Sequence, residues 1–115
     1  MTDPSSPFTL QSSVVGDDLV VAVAGEIDMT TAPELAKAVE VISNHTRNVV
    51  VDLCGVTFLD SSGLNALIRG QRALAKRQIA LRIVAPAEGI VRRVFEITQL
   101  TEALSVVDSL DDALR

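Results

Sequence analysis

Tryptophan and tyrosine are absent from this chain of 115 residues, and histidine and cysteine each occur once. Each shortage closes off a class of function. A lone Cys54 permits no internal disulfide and fits a reducing cytoplasm. One histidine and one cysteine leave zinc without a ligand set. A serine–histidine–aspartate triad would have to use His45. That residue follows a candidate helix, among Ser43, Asn44, Thr46 and Arg47, a setting that suits a solvated histidine. The P-loop, dinucleotide-binding, metalloprotease, CxxC and nucleophile-elbow patterns are all missing. The chain therefore reads as a binding protein and not an enzyme, with no cofactor.

Basic charge and long apolar runs are also scarce. The net charge is −5, and no broad basic footprint is present for phosphate backbones, so nucleic acid is excluded as the expected partner. The longest apolar run, Leu19 to Gly25, falls far short of the ~20 residues that span a bilayer, so membrane insertion is not expected. Residues 1–7 lack the basic and apolar regions of a secretion signal and read as a flexible N-terminal tail before a domain over 8–115.

What is plentiful is aliphatic. Hydrophobic residues make up 48% and charged residues 22% of the chain, which is globular and not disordered composition. With only Phe8, Phe58 and Phe95 as aromatics, the core must be built from Val, Leu, Ile and Ala. Phe8 to Ser12 is a strand candidate, and Gly16-Asp17-Asp18 a turn that could join it in a hairpin to the apolar run Leu19–Ala24. Asn48–Leu53, Ile79–Val84 and Leu104–Val107 read as further strands. Thr31 and Glu34 have the spacing of a capping box, Pro33 suits a first helical turn, and Leu35, Ala38, Val39 and Ile42 give one apolar face. Asp60-Ser61-Ser62-Gly63 opens a second helix carrying Leu64, Leu67, Ile68, Leu74 and Ala75 on one face. Ile90, Val91, Val94 and Phe95 mark a third helix, and Ser109 to Asp112 caps a short fourth. After the hairpin, strands and helices alternate. That order predicts an α/β fold in one domain, with a small, mostly parallel sheet of four or five strands and about four helices packed around it.

Two segments carry candidate function. In Phe58-Leu59-Asp60-Ser61-Ser62-Gly63-Leu64, two hydroxyls and a carboxylate stand at a helix opening, where backbone N–H groups lack partners and the macrodipole is positive. Asp60 or Ser61 can cap the helix, with Gly63 easing a tight turn. Ser61 can equally be a serine presented for modification, and the two roles are compatible. Gly25-Glu26-Ile27-Asp28 ends the previous strand, and in a parallel sheet both loops gather at the C-terminal edge. Asp28 can be a neighbour of Ser61, or merely begin the approach to the first helix.

The remaining candidates have plainer readings. Arg69, Arg72, Lys76 and Arg77 form a solvated face complementing a helix C-terminus, or dock an acidic partner. Arg92 and Arg93 read the same way. Cys54 reads as a small apolar filler. Met29 is either an exposed contact or tucked under its loop.

Gly25-Glu26-Ile27-Asp28, Thr31 to Leu35, Val49 to Leu53, Val56 to Leu64 and Val91 to Thr98 with Leu100 resemble, in this order, the STAS-domain anti-sigma factor antagonists. The resemblance covers roughly residues 8 to 115. It implies a STAS-type fold and a role in partner switching. The unmodified protein would bind an anti-sigma factor that is itself a serine kinase and so free a sigma factor. Phosphorylation at Ser61 would end the binding, and a PP2C-type phosphatase would restore it. Asp28 matches the aspartate near the phosphorylation loop, and Asp60, Ser62 and Gly63 complete the partner-binding segment. Asn65 stands where the family often has glycine, which alters the partner surface. The alternative within the resemblance is a STAS interaction module of a transporter ATPase or signalling assembly, without phospho-switching.

Overall fold

A computed structural model describes residues 8 to 114; the expected tail over 1–7 lies outside them. In chain order the elements are β1 (Thr9–Val15), β2 (Asp18–Ile27), α1 (Ala32–Glu40), β3 (Asn48–Leu59), α2 (Ser61–Ala75), β4 (Ala80–Val84), α3 (Ile90–Ile97), β5 (Val106–Val107) and α4 (Leu110–Leu114). The strands form a five-stranded sheet in the order β1-β2-β3-β4-β5. β1 runs antiparallel to β2, and the other neighbours are parallel. This is the mixed, mostly parallel α/β sheet that the sequence predicts.

Burial explains why the strand sequences read as continuous apolar runs. Successive side chains point to opposite faces of a sheet. Leu19, Val21, Val23, Val49, Val51, Leu53, Leu81 and Ile83 enter one core with the inner faces of α1, α2 and α3. Val20, Val50 and Val84 turn the other way and pack against Ala113 of α4. The central strands must therefore be apolar on both faces. Phe95, fully buried on α3, is the one aromatic among the largest enclosed side chains, so the core is aliphatic as expected. The β1–β2 turn contains Gly16 at φ +62, a conformation that glycine adopts without a Cβ penalty.

Several boundaries differ from the sequence reading. β2 continues to Ile27 and β3 to Leu59, so Gly25-Glu26-Ile27 is strand and not loop. These extensions pair with each other across register shifts at Ala22/Ala24 and Gly25/Glu26. Gly55 is the reason the shifted strands can lie close: a Cβ there would come within 2.9 Å of the Ala24 Cβ. β5 shrinks to Val106–Val107. Ala75 is exposed, and the buried face of α2 is Gly63, Ala66, Leu67, Gly70 and Leu74.

Candidate functional site at the C-terminal edge of the sheet

β2 and β3 end side by side. Ile27 and Leu59 are register partners, and the Asp60 N–H donates to the Ile27 carbonyl at 3.3 Å. The segments beginning at Asp28 and at Asp60 thus leave the sheet from adjacent points, which brings together the two segments singled out in the sequence.

The Asp60 segment is a tight strand-to-helix junction. Asp60 is the N-cap of α2, with φ −104 and ψ −171. Its Oδ1 accepts from the N–H of Ser62 at 2.8 Å and of Gly63 at 3.2 Å. Its carbonyl accepts from Leu64 at 3.1 Å. The capping role therefore falls to Asp60, and Ser61, the first helical residue, is exposed. Ser62 is half-buried and Gly63 buried. Gly63 has a different reason from the one its sequence suggests. A Cβ there would lie 2.8 Å from Ile27 Cγ2 and closer still to Leu59 Cδ1. Glycine is required so that the opening of α2 can rest on the ends of both strands.

The Asp28 segment is a self-contained polar turn. Asp28 Oδ1 accepts from the Thr30 N–H at 2.9 Å, the Thr30 hydroxyl at 2.7 Å and the Thr31 N–H at 3.2 Å. The Thr30 hydroxyl leads the contacts that hold the Asp28 carboxyl below its ordinary value of 3.8, because each donor favours the charged form. The capping box at Thr31 and Glu34 is not formed. The Thr31 hydroxyl instead accepts from the Asp28 N–H at 2.9 Å and donates to the Glu26 carbonyl at 2.9 Å. Local bonds within the turn have outcompeted the cap. Thr30 was not singled out from the sequence, although Asp followed two residues later by a hydroxyl residue is the pattern of an Asx-type turn.

Met29, whose position the sequence leaves open, is 75% exposed. It overhangs a groove of about 510 Å³ between α1 and α2 that includes Pro33, Ala36, Ser62, Asn65 and Arg69. Small residues let the helices close beneath it; a Cβ on Gly70 would already meet Val39 Cγ2 at 3.1 Å. The groove is next to the exposed Ser61, and its lining mixes apolar residues with Glu40, Ser62, Asn65 and Arg69.

Other candidates fall away from this edge or change role. His45 lies in the loop between α1 and β3, at the opposite end of the parallel strands, and is exposed. Arg69, Arg72, Lys76 and Arg77 are exposed on α2 or just beyond it. Arg92 is not a solvated charge: its guanidinium donates to the Ala85 carbonyl and to Asp108, both at 2.8 Å, tying α3 to the ends of β4 and β5. Arg93 is exposed. Cys54 is exposed, not a buried filler. Desolvation and the neighbouring Asp52 push its thiol up to about 11, which keeps it protonated and unreactive near neutrality. Among the described residues no group of acidic, histidine or cysteine side chains could hold a metal ion, and no helix is long and apolar enough to cross a membrane.

The STAS domain family model matches residues 9–113. The chain belongs to the STAS domain family. The anti-sigma-B factor antagonist of Listeria monocytogenes is 34% identical over 91 residues, covering 78% of this chain and 79% of the relative. That of Staphylococcus aureus is 34% identical over 87 residues, covering 75% and 80%. The crystal structure of an anti-sigma factor antagonist from Mycobacterium paratuberculosis superposes with a TM-score of 0.83 at 34% identity, covering 99% of this chain and 96% of that one. This STAS domain thus shares its fold from end to end with a solved antagonist, and the edge carrying Asp28, Asp60 and Ser61 lies wholly within the matched region.

Proposed function

We propose that this STAS domain is an anti-sigma factor antagonist that acts by partner switching. In its unmodified form it binds an anti-sigma factor with serine kinase activity, and a sigma factor is released. The kinase phosphorylates Ser61, binding ends, and a PP2C-type phosphatase resets the protein. The cycle runs in the cytoplasm and requires no catalysis by this chain. Asp28, Asp60 and Ser62 form the loop surface on which the partner sits, held in place by the buried Gly63 junction, with the Met29 groove beside it.

One observation carries the reading: Ser61 is exposed at the first position of α2 while Asp60 does the capping. The hydroxyl is free of a structural duty, so modification need not cost the fold. The same geometry explains why a phosphate would act strongly. The Ser62 and Gly63 amides, which a helix N-terminus would otherwise offer to an anion, are already held by Asp60. A phosphate adds about −1.5 to −2 charges between two aspartate loops. Docked against a partner, an uncompensated dianion costs on the order of 2–5 kcal/mol, roughly 30- to several-thousand-fold in affinity.

The test of the site is phosphate mapping by mass spectrometry after incubation with the cognate kinase and ATP. One phosphate on Ser61 is expected. Phosphate on the half-buried Ser62 or on Thr57 would refute the assignment.

A further inference from the structure

β1 is an edge strand that no other described element covers. It pairs with β2 on one side, and among the described residues no strand lies on the other. Natural edge strands are blunted by charge, proline or a bulge, because their free N–H and C=O groups template further pairing. β1 has the sequence Thr-Leu-Gln-Ser-Ser-Val-Val, without a charged residue, a proline or a glycine. Its register with β2 is unbroken over Thr9 to Val15, whereas the shifts in this sheet fall between β2 and β3. All of its residues except Leu10 are exposed, with Val14 at 73% and Val15 at 48%.

We propose that β1 is a self-association surface, on which a second copy of this chain adds its own β1 antiparallel about a two-fold axis at Ser12. The sequence is self-complementary in that register. Ser12 faces Ser12 of the second copy, Gln11 faces Ser13, Leu10 faces Val14, and Thr9 faces Val15. Residues of equal parity share a face. The Leu10–Val14 pairs therefore fall on the helix-covered side, where Leu10 already packs against the main core. There Val14 and the 72% exposed Val41 line one shallow groove, so the pairing covers an apolar patch continuous with the edge.

Charge selects the antiparallel arrangement. The chain carries −5 overall, and the turn at Asp17 and Asp18 directly follows the strand, with Arg47 3.5 Å from Asp17 and the Asp18 carboxylate as its uncompensated charge among the described residues. Parallel pairing would bring the two acidic turns together. Antiparallel pairing sets each at the Phe8–Thr9 end of the other copy, with the two Asp17 positions ten residue spacings, about 34 Å, apart, beyond the roughly 8–10 Å screening length of physiological salt. The two-fold arrangement is closed, so it yields a dimer and not a fibre.

The test is sedimentation equilibrium of the full chain, with disulfide trapping to read the register. Wild type should shift from monomer to dimer mass as concentration rises. Ser12→Lys puts two like charges directly opposite and should abolish the dimer while leaving the thermal melt unchanged at concentrations where wild type is monomeric. In a Cys54→Ser background, Ser12→Cys should form an intermolecular disulfide roughly tenfold faster than Gln11→Cys, because only directly opposed residues meet disulfide geometry. Mixing Gln11→Cys with Ser13→Cys should restore fast trapping. A monomer up to millimolar concentration, a dimer that survives Ser12→Lys, or equal trapping rates for Ser12→Cys and Gln11→Cys would each overturn the proposal.

Discussion

The two aspartate loops start from paired residues yet spend their carboxylates differently. Asp60 reaches forward to the Ser62 and Gly63 amides and caps α2 at once. Asp28 closes a turn on Thr30 and Thr31, and α1 begins only at Ala32. The immediate cap produces a rigid helix opening with Ser61 displayed at its first position. The delayed one inserts a short polar turn that throws Met29 into solvent. One acid fixes where the proposed phosphorylation site stands, and the other shapes the exposed surface beside it.

The contrast predicts unequal sensitivity to substitution. The largest effect should come from Gly63→Ala. Its methyl must displace both Leu59 and Ile27 in a packed junction, an overpacking cost of about 1–3 kcal/mol, read from urea unfolding. Gly70→Ala, whose added methyl meets a single side-chain atom at 3.1 Å, should cost less. Equal losses would mean that the Asp60 junction is no tighter than the rest of α2.

Asp60→Ala comes next. It removes the acceptor for two helix amides, worth about 1 kcal/mol, whereas Asp60→Asn keeps an acceptor and should recover most of the loss. If Asp60→Ala unfolds at the wild-type urea midpoint, another group caps α2 and the forward reach of Asp60 carries no energy.

The smallest effect should be at Asp28, and it should depend on pH. Its carboxyl titrates below the ordinary 3.8 because donors from Thr30 and Thr31 favour the charged form. A carboxylate lowered by folding contributes stability that is present above its unfolded value and is lost as pH falls through its folded one. The Thr30 amide resonance should therefore move with a midpoint below 3.8, and Asp28→Asn should remove that titration and lower the melt at neutral pH only slightly, the smallest loss of the three. A Thr30 amide with no titration in that range would show that the turn does not depend on the charge.

Much of this arrangement was legible in the sequence, and what was hidden has physical causes. Leu19–Ala24 and Asn48–Leu53 are legible as strands because Leu19–Val21 and Val49–Val51 are buried on both faces and so form continuous apolar stretches. The extensions to Ile27 and Leu59 are not. Glu26, Cys54, Gly55, Thr57 and Phe58 are exposed there, and the segments are strands because they pair with each other. The Asp60 cap was readable as local chemistry. Gly63 reads locally as a turn residue, whereas its constraint is packing against Leu59 and against Ile27, the latter far away in the chain. The Thr31 capping box was a sound local pattern overridden by the Glu26 carbonyl and the Asp28 amide. The Arg92 clamp joins groups from three elements, and no window of sequence contains them together.

The most direct test of the switch is calorimetric titration of the anti-sigma factor kinase with unmodified protein, Ser61-phosphorylated protein and Ser61→Ala. The unmodified protein and Ser61→Ala should bind alike, since Asp60 and not Ser61 holds the cap. The phosphoprotein should bind at least roughly 30-fold more weakly, the lower bound for an unpaired charge at an interface, with an unchanged thermal melt. Equal affinities for the phosphorylated and unmodified forms would contradict the phospho-switch and leave a STAS module that binds without regard to Ser61.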